Sequence, residues 1–259
     1  MSKRTFLVVL SGLALVGAAE MARAAVVVDY TAATSGGLSP DAVGWTRYGT
    51  PMVHNGSYLL QDNTANDPNS DQSGEYLSPS AGAGLMKLAS GQYGIEFRAK
   101  PLTDVPFLGY SHYANLYVFW SDDSYAYNVT IDRDTDDAGS GTTGGIKYGQ
   151  GSLSDAVTGI NWSTPHTIYV GYTGVSPYGS FDFYVDGVLK SNVSAGSMAR
   201  SGGWPFAQDK VDFGDGTTGQ GIDVAAEWYS VKIHNTAVPE PASLVLLGLA
   251  SAGLVLRRR

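Results

Sequence analysis

The 259-residue sequence predicts an all-β fold, an antiparallel two-sheet sandwich, with an apolar helix at each end of the chain. Three observations predict it. Between residues 25 and 238, short apolar stretches alternate with polar residues at period two, and none recurs at helical spacing. Loops rich in Gly, Ser, Asn and Asp separate them. The only glutamates in this stretch are Glu75, Glu96 and Glu227, and aspartate favours turns where glutamate favours helices. About ten to twelve strands at this spacing suit two stacked sheets.

The N-terminus reads as a secretory signal. Lys3 and Arg4 form a basic start, residues 6–19 an apolar core, and Ala22-Arg23-Ala24 a small-residue cleavage site. Signal peptidase is the partner this implies, with cleavage after Ala24. The domain division is therefore 1–24 signal peptide, 25–238 sandwich and 239–259 tail.

Val26 to Tyr30 is the first strand. Residues 31 to 57 form a long Gly/Ser/Pro-rich loop with short extended pieces, before a short strand at Tyr58 to Leu60. Residues 62 to 73 are a polar loop that cannot bury itself. In Gln92 to Arg98, Tyr93, Ile95 and Phe97 share one face and Glu96 and Arg98 the other, the mark of a half-buried strand. Asn115 to Trp120 and Tyr125 to Ile131 form a hairpin around Ser121 to Ser124, and a weaker strand covers Ile146 to Tyr148. His166 to Tyr172 precedes Ser180 to Val185, in which Phe181, Phe183 and Val185 face together. Asp186-Gly187 is a type I′ hairpin signal leading into Val188 and Leu189. Ala199 to Gln208 is a loop, and Lys210 to Phe213 a short strand. Ile222 to His234 closes the sheet, with Tyr229, Val231 and Ile233 expected on one face.

Residues 25–238 hold 10 Lys and Arg against 22 Asp and Glu, a net of about −12. Nucleic acid, which needs a cationic footprint, is not the partner. The sequence has no cysteine, so disulfide frameworks, Cys-based zinc sites and thiol catalysis are excluded.

The last 21 residues have three parts. Pro239-Glu240-Pro241 stops what precedes it, Ala242 to Leu256 is uncharged, and Arg257, Arg258 and Arg259 end the chain. The apolar stretch would span roughly 22 Å as a helix, short of the roughly 30 Å hydrocarbon core and so a marginal transmembrane span. The arginines belong on the cytoplasmic side, which leaves the domain beyond the membrane. This pattern resembles the PEP-CTERM sorting signal. The resemblance implies export, processing by an exosortase while the tail is transiently anchored in the inner membrane of a Gram-negative-type bacterium, and a place on the cell surface or in an exopolysaccharide biofilm matrix.

Phe181-Asp-Phe-Tyr-Val-Asp-Gly-Val-Leu189 is similar to the Tyr-Val-Asp-Gly hairpin of laminin-G-like and concanavalin A-like domains. Residues 91–100 resemble their early inner strand, and Gly221-Ile222-Asp223 with Trp228 to Ile233 their closing strand. The resemblance implies a jelly-roll sandwich and glycan or protein binding.

Catalysis finds little support in the residues. No glutamate begins a Glu-x-Asp-x-x-Glu strand that would set two carboxyls at retaining distance, no Gly-x-Ser-x-Gly elbow occurs, and His54, His112, His166 and His234 are scattered. The expectation is a non-enzyme. For metal, Asp132, Asp134 and Asp136 alternate as hard oxygen ligands that suit Ca²⁺. Asp137 stands where an EF-hand loop needs Gly, however, and Thr143 where it needs Glu, so a solvated acidic turn is the competing reading. Asp223 is a separate Ca²⁺ candidate through the jelly-roll resemblance. For polysaccharide, pyranose faces stack on aromatic rings, and Trp45, Trp120, Trp162 and Trp204 are the candidates, with Tyr48 and Tyr178 beside them. A large aromatic also serves to fill a sandwich core. Two functions stand side by side, a matrix lectin or a purely structural matrix component, with a glycoside hydrolase of concanavalin A-like fold as the third alternative.

Overall fold

A computed structural model describes residues 26–49, 51–61, 75–79, 92–102, 115–121, 125–132, 143–149, 154–174, 178–198, 200–201, 210–214 and 226–235. In chain order the strands begin with β1 (Val26–Thr31), β2 (Thr46–Tyr48), β3 (Val53–Asn55), β4 (Tyr58–Gln61), β5 (Glu75–Leu77), β6 (Gln92–Pro101), β7 (Asn115–Ser121) and β8 (Tyr125–Asp132). They continue with β9 (Thr143–Tyr148), β10 (Ser154–Asn161), β11 (His166–Thr173), β12 (Ser180–Val185), β13 (Val188–Ser194), β14 (Arg200–Ser201), β15 (Lys210–Gly214) and β16 (Ala226–His234). Two 3₁₀ turns, Ala32–Thr34 and Pro40–Val43, and one short helix, α1 (Ala195–Met198), complete the described elements.

All the described pairings are antiparallel. One 8-stranded sheet runs β13-β12-β11-β6-β16-β4-β3, with β1 also on β16, and a second runs β10-β9-β8-β7-β15-β5-β2, with β14 on β8. The two stack into a jelly-roll sandwich. The expected signal helix and tail helix lie outside the described residues.

Alternation makes the strands. Along β12 the buried Phe181, Phe183 and Val185 alternate with half-buried Ser180, Asp182 and Tyr184, so one face enters the core and the other faces out. Asp186 and Gly187 have φ of 50° and 77°, and Val185 pairs with Val188 across them. That is the two-residue turn with both central residues left-handed.

Rings tie the sheets together. Phe213 of the second sheet lies 4.9 Å from Trp228 of the first, and Tyr127 of the second lies 4.9 Å from Phe181 of the first. Around the former, Trp45 meets Phe213 edge-on at 5.3 Å. Around the latter, Tyr93 stacks on Tyr172 at 5.0 Å. Inside this core the Trp228 indole N–H donates to Gln61 at 2.8 Å, which satisfies a donor that would otherwise be costly to bury.

Three sequence readings are corrected here. Trp45 and Trp162 are 4% and 0% exposed, so neither offers a face to a sugar. Both serve the core instead, Trp162 edge-on to His166 at 5.5 Å. On β16, Tyr229 does not share a face with Val231 and Ile233. The register shifts between Trp228 and Ser230, and this bulge turns Trp228, Val231 and Ile233 into the core and leaves Tyr229 outside. Finally, the loop read at 199–208 contains β14, paired with Tyr125 and Ala126 of β8, and β10 forms where no strand was expected.

Candidate functional site

The outer face of the first sheet carries the best-organised polar surface among the described residues. It is built by strand register. At each level across the sheet, one residue per strand points out, and adjacent strands stand about 4.8 Å apart.

The lowest row joins β6, β16, β4 and β3. The Arg98 guanidinium lies 5.1 Å above the centre of the Tyr229 ring, and Tyr229 meets Tyr58 at 5.6 Å. Asn55 Nδ2 donates to the Tyr58 hydroxyl at 2.7 Å. Tyr229 donates in turn to Glu227 Oε2 at 2.6 Å, and Lys100, directly opposite Glu227, stands 4.0 Å from it. Burial, then the hydrogen bond and charge of Glu227, push the Tyr229 phenol up to about 12. It is therefore a neutral donor at any physiological pH. Arg98 is exposed and the two tyrosines half-buried.

The middle row runs Tyr184, Tyr169, Glu96, Lys232 across β12, β11, β6 and β16. Glu96 faces Lys232 Nζ at 3.2 Å through one oxygen and His234 Nε2 at 3.2 Å through the other. Burial works against the charged carboxyl, but the contacts with His234 and Lys232 outweigh it and hold Glu96 below the usual carboxylate range. Tyr169 is raised well above an ordinary phenol, by burial first and then by the Glu96 charge.

The upper row is Asp182, Gly171, Gly94, His234, with Asn192 donating to Asp182 at 2.6 Å. Two glycines side by side leave a trough, and the Tyr169 ring fills its Gly94 end. A Cβ on Gly94 would lie 2.1 Å from the Tyr169 oxygen. His234 is 7% exposed, its ring 5.2 Å from Tyr169, and its Nδ1 has no hydrogen-bond partner.

Chemically, the lower rows offer aromatic faces, neutral hydroxyl donors, fixed carboxylate acceptors and one guanidinium in a shallow, half-exposed band. Sequence reasoning placed Glu96 and Arg98 on this face and missed Tyr58, Tyr169, Tyr184 and Tyr229. The outward alternation of β12 was a usable signal for Tyr184, whereas the bulge concealed Tyr229.

The remaining predicted residues fall elsewhere. Trp120 lies on β7 opposite Val211 and Tyr127, and Asp132 ends β8 opposite Asn115 and Gly145; the side chains of both are outside the described residues. So are Trp204, Asp134, Asp136, Asp223, Ala22, Ala24, Pro239, Glu240, Pro241, Arg257, Arg258 and Arg259. Among the described residues no group of three His, Cys, Asp or Glu side chains could hold a metal ion, and no helix is long and apolar enough to cross a membrane. Tyr178 and Tyr48 are exposed, at 89% and 45%, but stand apart from the rows.

Residues 237–259 match the PEP-CTERM protein-sorting motif, which marks the chain as an exported, exosortase-sorted protein. Comparison with curated proteins gives no match. Among solved structures, the chain is similar to the botulinum neurotoxin serotype G binding domain at 13% identity and a TM-score of 0.49, covering 86% of this chain and 51% of that one. It is similar to an alginate lyase of polysaccharide lyase family 7 at 16% identity and a TM-score of 0.44, covering 76% of this chain and 99% of that one. A botulinum neurotoxin DC binding domain in complex with rat synaptotagmin II gives 10% identity and a TM-score of 0.42, covering 83% and 49%. The chain thus spans about half the length of the neurotoxin domains it matches. Likenesses this distant carry no functional argument.

Proposed function

We propose that this is a non-catalytic cell-surface or matrix protein whose first sheet binds polysaccharide on its outer face. The observation that carries the reading is the row Arg98, Tyr229, Tyr58: a cation over a ring, a second ring against the first, and Asn55 and Glu227 hydrogen-bonded to the two phenols. Pyranose rings stack on such faces, and their hydroxyls bond to such groups. The exported address brings the face to where exopolysaccharide is. The tail, in this reading, is cut by an exosortase after delivery.

Spacing favours binding over cleavage. Glu227 lies opposite Lys100, and Glu96 is four residues back along β6, which sets their two backbone positions about 13 Å apart along the sheet. Glycosidase pairs stand roughly 5–9.5 Å apart. The test is binding of residues 25–238 to the producing organism's exopolysaccharide, with Tyr58→Ala and Tyr229→Ala as variants. Each should weaken saturable binding about tenfold, equivalent to roughly 1.4 kcal/mol. Unchanged binding in both variants would refute the assignment of this face. A structural role has its own support in Tyr169 closing the Gly94 trough, and no saturable binding by the parent domain would favour it.

A further inference from the structure

We propose that the end of the first sheet at which both termini leave the sandwich faces the membrane, with Tyr178 and Val26 resting on the lipid headgroups. This rests on reading residues 239–259 as a membrane tail.

β1 starts where β16 ends, with Val26 opposite His234, so the two connections to the apolar segments leave side by side. Only seven residues, 235–241, separate the last strand from the apolar tail, a reach of at most about 25 Å. Six residues, 20–25, separate the signal's apolar core from β1, at most about 21 Å. The sandwich therefore hangs close to the bilayer by this end, whichever segment is still inserted.

The same end presents what a lipid surface accepts. Gly94 lies opposite His234, Gln92 opposite Thr173, and Thr173 opposite Ser180. The β11–β12 connection bearing Tyr178 is thus two strands from the chain exit, about 10 Å away. Tyr178 is 89% exposed, and Val26 and Val27 are 45% and 40% exposed. Tyrosine is a residue of membrane–water interfaces. Along this rim Val26, Gln92, Thr173, Tyr178, Ser180 and Ser194 carry no charge, and the first charged residue inward along these strands is Asp182, two residues from Ser180 on β12. In a chain of net charge −8, an anionic leaflet repels most of the surface and leaves a neutral rim as the approach.

The absence of cysteine makes a direct test available. Tyr178→Cys and Ser194→Cys place single thiols on the rim. Val188→Cys places one at the opposite end, beyond the Asp186-Gly187 turn, where Val188 is 56% exposed. Each full-length variant carries a thiol-linked fluorophore and is reconstituted into phosphatidylcholine/phosphatidylglycerol vesicles containing headgroup-quencher lipid. The expected result is quenching several-fold greater at 178 and 194 than at 188, and lost at all three in a chain of residues 25–235, which lacks both apolar segments. Equal quenching at the two ends, with the protein bound to vesicles, overturns the orientation alone. A full-length chain that stays in the soluble fraction overturns the tail reading and the orientation with it.

Discussion

Gly94 sets the outer face of the first sheet. It sits in the central strand β6 with Tyr169 packed over it, so its missing side chain is the space that a tyrosine ring occupies. Adding even one methyl forces a buried ring out of place, an overpacking cost of typically 1–3 kcal/mol. Gly94→Ala should lower the unfolding free energy by that order, read as a lower urea midpoint at unchanged m-value. Gly94→Ala combined with Tyr169→Ala should be less unstable than the sum of the two single changes; strict additivity in the double-mutant cycle would show that the two residues do not compete for this space. Residue identity also explains where tryptophan misled. Trp45 and Trp162 carry the same chemistry inside a core as on a sugar platform, and only the packing of Phe213 and His166 against them decides which. Tyrosine, with a polar tip, can be half-buried and still face outward, as Tyr58 and Tyr229 do.

β16 was legible as a strand but not in its facing. Trp228-Tyr229-Ser230-Val231 can be read in either phase, and a bulge leaves no mark in the residue types. Tyr229 and Ser230 together oppose Arg98, since Trp228 pairs with Ala99 and Val231 with Phe97. Deleting Ser230 would restore plain alternation with Trp228, Val231 and Ile233 all still inward. Deleting Lys232 would instead turn Ile233 out and His234 in. The expectation is a cooperative, modestly shifted urea transition for the first deletion and loss of the folded baseline for the second. Equal damage from both would mean that the bend itself is required. β10 escaped detection for a related reason. Its buried residues, Val157 and Ile160, stand three apart, and two register shifts against β9 break the period-two signal. By contrast β6, β12 and the Asp186-Gly187 turn follow elementary rules without interruption and were readable directly.

At the scale of the whole molecule, part of the acidity is met by paired cations on the first sheet. Glu96 and Asp186 are both held below their ordinary values of 4.5 and 3.8. For Asp186, burial opposes the charged form, and the Thr167 amide and His166 outweigh it. A depressed carboxyl stabilises the fold above its unfolded value, and that contribution disappears as pH falls through the lower native value. Melting temperature should therefore hold down to about pH 5 and decline below about pH 4. Asp186 is largely solvated and adds little, so Glu96→Gln should flatten much of the decline attributable to this face while costing on the order of 1–3 kcal/mol at pH 7. A profile unchanged by Glu96→Gln would place the acid sensitivity elsewhere. The domain's class was readable because alternation and turn chemistry are local. The site was only half readable because it aligns the β3–β4 hairpin with β6 and β16, which are distant from it in sequence.

β16 also sets a schedule. It lies between β6 on one side and β4 and β1, end to end, on the other, so residues 26–31 and 58–61 wait for residues 226–234 before they join β6 and the rest of their sheet. In a chain that crosses a membrane from its N-terminus, the closing strand is the last described strand to emerge, a few residues ahead of the sorting motif. The earliest strands, β1 and β4, thus stay unplaced in their sheet through nearly the whole passage. Completion of the sheet then coincides with arrival of the tail, so that the folded domain and its sorting motif become available together.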